Sequence, residues 1–168
     1  GRFDFFCGGI TIPSRKTESA KLFRKGSNGI EFFTSQVLYN GNKIKKMLKH
    51  YDDICEKNGV MPRRILLSFA PVSSKKNIDF LKWLGVEIPE NTEHRLNQDP
   101  ENMSNVSLEI ASEILKDILQ NNEEKEITVP IGLNVEHIMS YNFQSSINML
   151  QKLSRIYREF CIKTSLYD

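Results

Sequence analysis

The spacing of apolar residues alternates between strand-like and helix-like runs along the chain. Aromatic and β-branched runs predict four buried strands, at Phe3–Ile12, Ile30–Leu38, Arg64–Val72 and Ile127–Val135. Between and after them, apolar residues recur every three or four positions, which predicts amphipathic helices at Thr17–Lys25, Asn42–Lys57, Ser74–Leu84, Ser104–Gln120 and Phe143–Cys161. Residues 86–103 read as a polar connection. The order is therefore a β/α unit repeated four times, with an extra helix before the last strand.

The predicted strands are apolar on both faces, which is typical of a parallel sheet covered by helices. We therefore expect an α/β protein. A (β/α)8 TIM-type barrel usually needs about 250 residues, and the chain has 168, so it has room for about half of one. A small doubly wound sheet is the competing architecture. In either case residues 1–168 are expected to form one domain.

Each predicted strand turns polar near its carboxyl end. In parallel α/β folds these ends meet at one rim, where functional side chains gather. We therefore expect a pocket there, although capping or internally satisfied polar groups would give the same pattern. The polar residues concerned are Thr11, Thr34, Gln36, Ser68, Asn134 and Glu136. By contrast, Phe80 and Trp83 have the helical spacing of core residues and are expected to pack inside.

Charge and cysteine content narrow the class of partner. The 23 basic and 21 acidic residues give a net charge of +2, which argues against nucleic acid or a membrane surface as the partner. No run approaches the ~18 apolar residues of a membrane span. Cys7, Cys55 and Cys161 lack metal-ligand spacing, so we expect no metal site and a reducing, cytoplasmic location.

The chain also opens directly on a strand, so we expect further residues upstream.

Four segments, "GGITIPSRK", "GIEFFTSQVLYN", "LLSFAPVSSKKNIDFLKWLGVEIP" and "GLNVE", stand in a recognisable order. Together they resemble the C-terminal half of a methylenetetrahydrofolate reductase, over about residues 3–160, with "TSQVLYN" the most specific piece. That family is an eight-stranded β/α barrel that carries FAD at the strand carboxyl ends. It moves a hydride from NADH or NADPH, through the flavin, to methylene-tetrahydrofolate. The resemblance makes these strands the fifth to eighth of the barrel.

The resemblance also implies roles for particular residues. Gln36 matches the family glutamine that hydrogen-bonds the pterin or the nicotinamide amide, and Thr34 and Asn134 are further candidates for binding a folate-type substrate. A helical stretch resembles the family's FAD-contacting positions, and with Thr11 before it the candidate cofactor set is Thr11, Glu18, Lys21, Arg24 and Lys25. Arg24 and Lys25 would meet the flavin diphosphate. The alternatives are a Gln36 bonded to a neighbouring loop and a solvated charged helix face.

The sequence departs from the family at several positions. Ile12, Lys16, Lys75 and Val135 stand where the family has Tyr, His, Phe and Arg, so direct transfer from the nicotinamide to the folate is an alternative to transfer through FAD. The family's acidic residue on the first barrel strand has no counterpart here, so no catalytic residue is assigned. The chain is thus expected to need an N-terminal half or a second copy. The alternative is a non-catalytic half-barrel that acts as an interaction domain.

Overall fold

The computed structural model describes residues 5–165, with side chains up to residue 163. Its strands are β1 (Gly8–Thr11), β2 (Phe32–Ser35), β3 (Arg64–Phe69) and β4 (Ile131–Val135). Its helices are α1 (Glu18–Ser27), α2 (Gly41–Lys57), α3 (Lys75–Trp83), α4 (Glu90–Asn97), α5 (Met103–Glu124) and α6 (Phe143–Ser165), with a 3-10 turn at Ser140–Asn142. No helix in this part of the chain is both long and apolar enough to cross a membrane.

The strands form one parallel sheet in chain order, β1-β2-β3-β4. Every crossover steps to the next strand in the same direction. A doubly wound sheet instead needs a point where the strand order reverses, and the described sheet has none. The architecture is therefore the α/β, TIM-barrel-type segment that the sequence predicts.

Helices α1, α2, α5 and α6 cover one face of the sheet. Alternate strand residues such as Phe33, Ile65 and Leu67 point to this face and are fully buried. They join helix residues such as Leu48 and Leu115 in one core cluster. Each fully buried side chain of this size contributes about 1.5–3 kcal/mol relative to an exposed one, so this layer holds the strands in place.

The opposite face carries a second set of residues in register, with Ile10, Thr34, Leu66 and Gly132 forming one row across the four strands. A Cβ on Gly132 would lie 2.5 Å from Cδ2 of Leu66, so the glycine leaves the space that the leucine fills. Such pairing of small and large residues suits the packed interior of a barrel. In the described part of the chain Ile10 is nevertheless 68% exposed. We call this surface the inner face.

All four predicted strands extend beyond the observed ones: within the described residues β1 begins at Gly8, and β3 ends at Phe69 rather than Val72. Phe3 and Asp4 of the first lie outside the described residues, and β2 ends at Ser35 rather than Leu38. Beyond Ser35 the apolar run continues because Val37 and Tyr39 enter a second core cluster with Val72 and Ile78. Similarly, β4 begins at Ile131, because before it the backbone N–H and hydroxyl of Thr128 donate to the carboxylate of Asp52 on α2.

The prediction of a polar connection over 86–103 is wrong, because α4 lies within it. Pro89 precedes its first turn, where the missing N–H is tolerated, and Leu96 is fully buried. The prediction that Trp83 packs in the core is also wrong, since Trp83 is 77% exposed. It stacks on Phe80 with ring centroids 5.8 Å apart. Helical spacing alone did not distinguish the end of α3 from its buried middle.

Candidate functional site

Past Ser35 the pairing of β2 with β1 continues regularly, whereas its pairing with β3 shifts by one residue, because Leu38 rather than Val37 donates to Ser68. Thr11 pairs with Ser35, the N–H of Gln36 donates to the carbonyl of Thr11 at 2.8 Å, and the N–H of Leu38 donates to the carbonyl of Ser68 at 2.9 Å. Because side chains alternate along a strand, Ile12 and Gln36 follow Ile10 and Thr34 on the inner face, and Ser68 and Asn134, which pair with each other, follow Leu66 and Gly132. The predicted substrate-binding residues Thr34, Gln36 and Asn134 thus share the inner face at two adjacent levels.

A cavity of about 250 Å³ opens at this end of the sheet. Thr34 and Gln36 line it. Asn134 does not: it lies on β4, two strands away from β2, where its amide donates to the hydroxyl of Ser68 at 3.0 Å. The remaining walls are mostly apolar and come from β1, the end of α3 and the segment after β4; they include Ile10, Ile12, Val37, Leu81, Leu84, Val86 and Ile138. Drug-sized ligands usually occupy ~300–1,000 Å³, so this cavity suits a single ring system.

The side-chain amide of Gln36 makes one long hydrogen bond. Its Nε2 donates to the carbonyl of Leu84 at 3.4 Å, which is long against the usual 2.9–3.0 Å. Leu84 precedes Gly85, whose φ of 79° lies in the left-handed region that glycine tolerates, and this turn brings the chain back toward the sheet. Oε1 of Gln36 has no hydrogen-bond partner among residues 5–165. The amide therefore retains both donor and acceptor capacity for a ligand.

Glu136 also lines the cavity. Its backbone N–H donates to the carbonyl of Phe69 at 2.8 Å, which extends the β3–β4 pairing by one residue. Its carboxylate makes no hydrogen bond or ion pair with any described residue. The sequence marks Glu136 only as a polar residue at a strand end, without a match in the family pattern. Its position two residues after Asn134 is the signal that places it above the inner face.

Thr11 and Glu18, predicted to contact a cofactor, lie on the helix-covered side of the sheet. The Thr11 hydroxyl donates to Oε1 of Glu18 at 3.2 Å, and the backbone N–H of Ile12 donates to the same oxygen at 3.0 Å. Both side chains are almost fully buried. They join the end of β1 to the start of α1 and do not reach the cavity.

The three predicted cofactor-binding cations are spread along α1. Lys21 lies 4.0 Å from Oε2 of Glu18, and Nζ of Lys25 donates to the carbonyl of Ile10 at 2.9 Å. Arg24 is exposed in the last turn of α1, which runs back toward the amino ends of the strands. The structure therefore does not gather the five residues into one cradle. For a flavin diphosphate, Lys21 and Arg24 are the cations that remain most available, and the FAD assignment stays a prediction.

Behind the cavity, Tyr39 fixes the segment that follows β2. Burial raises the pKa of Tyr39, so the phenol keeps its proton at any physiological pH. Its hydroxyl donates to the carbonyl of Ala70 at 2.7 Å, which ties the end of β2 to the end of β3. No group of three or more His, Cys, Asp or Glu side chains within residues 5–165 could hold a metal ion.

Comparisons with known proteins found a matching family model and a similar solved structure. The family model described as methylenetetrahydrofolate reductase matches residues 8–155. One similar solved structure is a Clostridium thermocellum protein described as binding two copies of 5-methyl-5,6,7,8-tetrahydrofolic acid; the TM-score is 0.76 at 25% sequence identity. The match covers 92% of this chain and 54% of that one, so the chain spans about half the length of this relative. No curated protein matches the chain.

Proposed function

The chain belongs to the methylenetetrahydrofolate reductase family, and from this premise we propose that it binds a reduced folate in the cavity at the carboxyl ends of its strands. We further propose that it serves hydride transfer between NADH or NADPH and the one-carbon group of that folate. The observation that carries the proposal is the position of Gln36 and Thr34 on the wall of an apolar cavity. The relative described as binding methyltetrahydrofolate supports the ligand class.

The cavity offers what a flat heterocycle requires. Apolar side chains from three elements supply contact surface for a ring, and a few polar groups would fix its orientation. The Gln36 amide can pair with a ligand edge that presents one donor and one acceptor. Both a pterin and a nicotinamide carboxamide present such edges, so Gln36 is proposed to orient the folate and the nicotinamide in turn.

FAD is part of the proposal as the family's cofactor; when bound, it would supply the hydride-transfer chemistry between the nicotinamide and the folate. Of this chain's residues, Lys21, in the first turn of α1, would meet the diphosphate by charge-assisted hydrogen bonds, whereas Arg24 lies toward the amino ends of the strands. Thr11, Glu18 and Lys25 already have partners within the chain. This favours, as the second candidate, direct transfer without a flavin. An absorption spectrum from 300 to 550 nm, with and without added FAD, separates the two.

The unpaired edges of the sheet favour a partner that covers them. Within the described residues β1 and β4 each pair on one side only, and the inner face is exposed at Ile10. Unpaired strand edges favour association. We propose that further β/α units cover this surface, either from an N-terminal half or from a second copy, in the cytoplasm. A half-barrel that only binds a partner, without catalysis, is the alternative.

Titration calorimetry with 5-methyltetrahydrofolate tests folate binding. Gln36→Ala should weaken binding about tenfold, which corresponds to roughly 1.4 kcal/mol. Gln151→Ala, an exposed glutamine on α6, is the matched control and should bind as the wild type does. Absence of any binding to the wild-type protein would overturn the proposed folate function. Equal affinity of Gln36→Ala and wild type would instead remove Gln36 from the site.

A further inference from the structure

We infer that Glu136 is a specificity-determining residue of this cavity, whose carboxylate accepts hydrogen bonds from the 2-amino group and the adjacent ring N–H of a bound pterin. The inference rests on the proposed folate function and names the group that would recognise the ring. Family resemblance does not assign it, because Glu136 has no counterpart in the family pattern. Three features of the structure support it.

The first is position. Glu136 follows β4 at the level above Asn134, and its backbone N–H is fixed to the carbonyl of Phe69 at 2.8 Å. It lines the same cavity as Gln36, which comes from β2. The two side chains therefore approach the cavity from different strands. A ring bound there can be held at separate edges by the two groups.

The second is the balance of donors and acceptors. Among the described residues that line the cavity, Glu136 is the only one that carries an ionisable side chain. Its two carboxylate oxygens and Oε1 of Gln36 are acceptors without partners among residues 5–165, whereas Nε2 of Gln36 already contacts Leu84. The second N–H of Gln36 and the Thr34 hydroxyl are donors in the same cavity, but the carboxylate makes the lining richer in acceptors. A ligand that presents two parallel N–H groups would satisfy the carboxylate in a bidentate manner.

The third is the absence of a competing cation within the described lining. Lys43, at the neighbouring rim beside Gln36, pairs with Glu87. The nearest predicted cofactor cation, Lys25, donates to the carbonyl of Ile10. A negative carboxylate among apolar walls disfavours a phosphate or carboxylate in the same space. The anionic tail of a folate is therefore expected to lie outside the cavity, with its ring inside.

Two ligands and three variants of the full chain test this role by titration calorimetry. The ligands are 5-methyltetrahydrofolate and its 2-deamino analogue, which lacks one of the two N–H donors. The wild type should bind the analogue about tenfold to a hundredfold more weakly, the range expected for hydrogen bonds to a charged group. Glu136→Ala should bind the natural ligand weakly and scarcely discriminate between the two. Glu136→Gln, which keeps one acceptor oxygen, should fall between them.

Glu159→Ala, an exposed glutamate on α6, is the charge-matched control and should behave as the wild type does. Wild-type protein that binds the two ligands equally, or Glu136→Ala with undiminished affinity, would overturn the role of Glu136 while leaving folate binding intact. Wild-type protein that binds neither ligand would overturn the proposed function and this inference together. The comparison of ligands on the wild type needs no variant to fold.

Discussion

At the scale of single residues, one position in the register separates a side chain that faces the helices from one that lines the cavity. Thr11 and Thr34 both stand near strand ends, and the sequence groups them as polar residues of one rim. Thr11 faces the helices and is bonded to Glu18, whereas Thr34 lines the cavity on the inner face. The alternation of side chains along a strand predicts that neighbouring residues face opposite sides of the sheet. Which side each residue faces can be assigned only once the register to the neighbouring strands is known.

Replacement of Thr11 by Val tests whether this threonine is structural. The change removes a buried hydroxyl donor and leaves Oε1 of Glu18 with the Ile12 N–H alone. We expect the free energy of unfolding to fall by about 0.5–1.5 kcal/mol, the net contribution of one hydrogen bond, because Oε1 keeps its bond to Ile12. Thr17→Val is the matched control, since Thr17 is exposed and makes no side-chain capping bond. Urea denaturation measures both. Unchanged stability together with weaker FAD binding would assign Thr11 to a cofactor site instead.

At the scale of elements, apolar periodicity identified the long helices and failed for the short one. Helix α4 has eight residues, and Leu96 is its single fully buried side chain. Isolated helices of this length are unstable in water, so neither propensity nor pattern predicts one here. Its anchoring comes from tertiary contacts: Leu96 enters the second core cluster, and Arg95 donates to both carboxylate oxygens of Glu113 on α5 at 2.6 and 2.8 Å.

The contributions of Leu96 and Arg95 to the free energy of unfolding can be measured separately. Leu96→Ala should lower the free energy of unfolding by about 2–5 kcal/mol, because it leaves a cavity in a packed cluster. Arg95→Ala on the same helix should change it by less than about 1 kcal/mol, because exposed ion pairs contribute little. Chemical denaturation of both variants provides the comparison. A larger loss for Arg95→Ala would mean that the ion pairs, rather than Leu96, hold α4 in place.

The Arg95–Glu113 ion pair also predicts how the free energy of unfolding changes with pH. Arg95 lowers the pKa of the Glu113 carboxyl, chiefly through their hydrogen bonds. A carboxyl with a lowered pKa in the folded state stabilises the protein above its ordinary pKa and loses that effect as the pH falls through the lowered value. The small stability difference between wild type and Arg95→Ala should therefore shrink under acid conditions. A difference that grows in acid would contradict the pairing.

At the scale of the whole molecule, continuous apolar strands predicted the parallel sheet, and chain length predicted about half of a barrel. Both agree with the strand order β1-β2-β3-β4. The inner face could not be predicted from composition, because it mixes apolar, polar and glycine residues. Gly8 and Gly132 read as loop or bulge signals in a sequence. In the structure they make room for Phe32 and Leu66, an arrangement that depends on neighbours distant in the chain.

This inner face predicts how the 168-residue chain behaves on its own. Ile10 is 68% exposed on an edge strand, and such surfaces favour association. Sedimentation velocity should show concentration-dependent oligomers of the wild type. Ile10→Asp should shift the distribution toward monomer, because it places a charge on the face. Met61→Asp, at a position 81% exposed outside the sheet, should leave the oligomers unchanged. If the wild type sediments as a monomer at all concentrations, this face does not drive self-association, and its proposed partner would have to be a different chain segment.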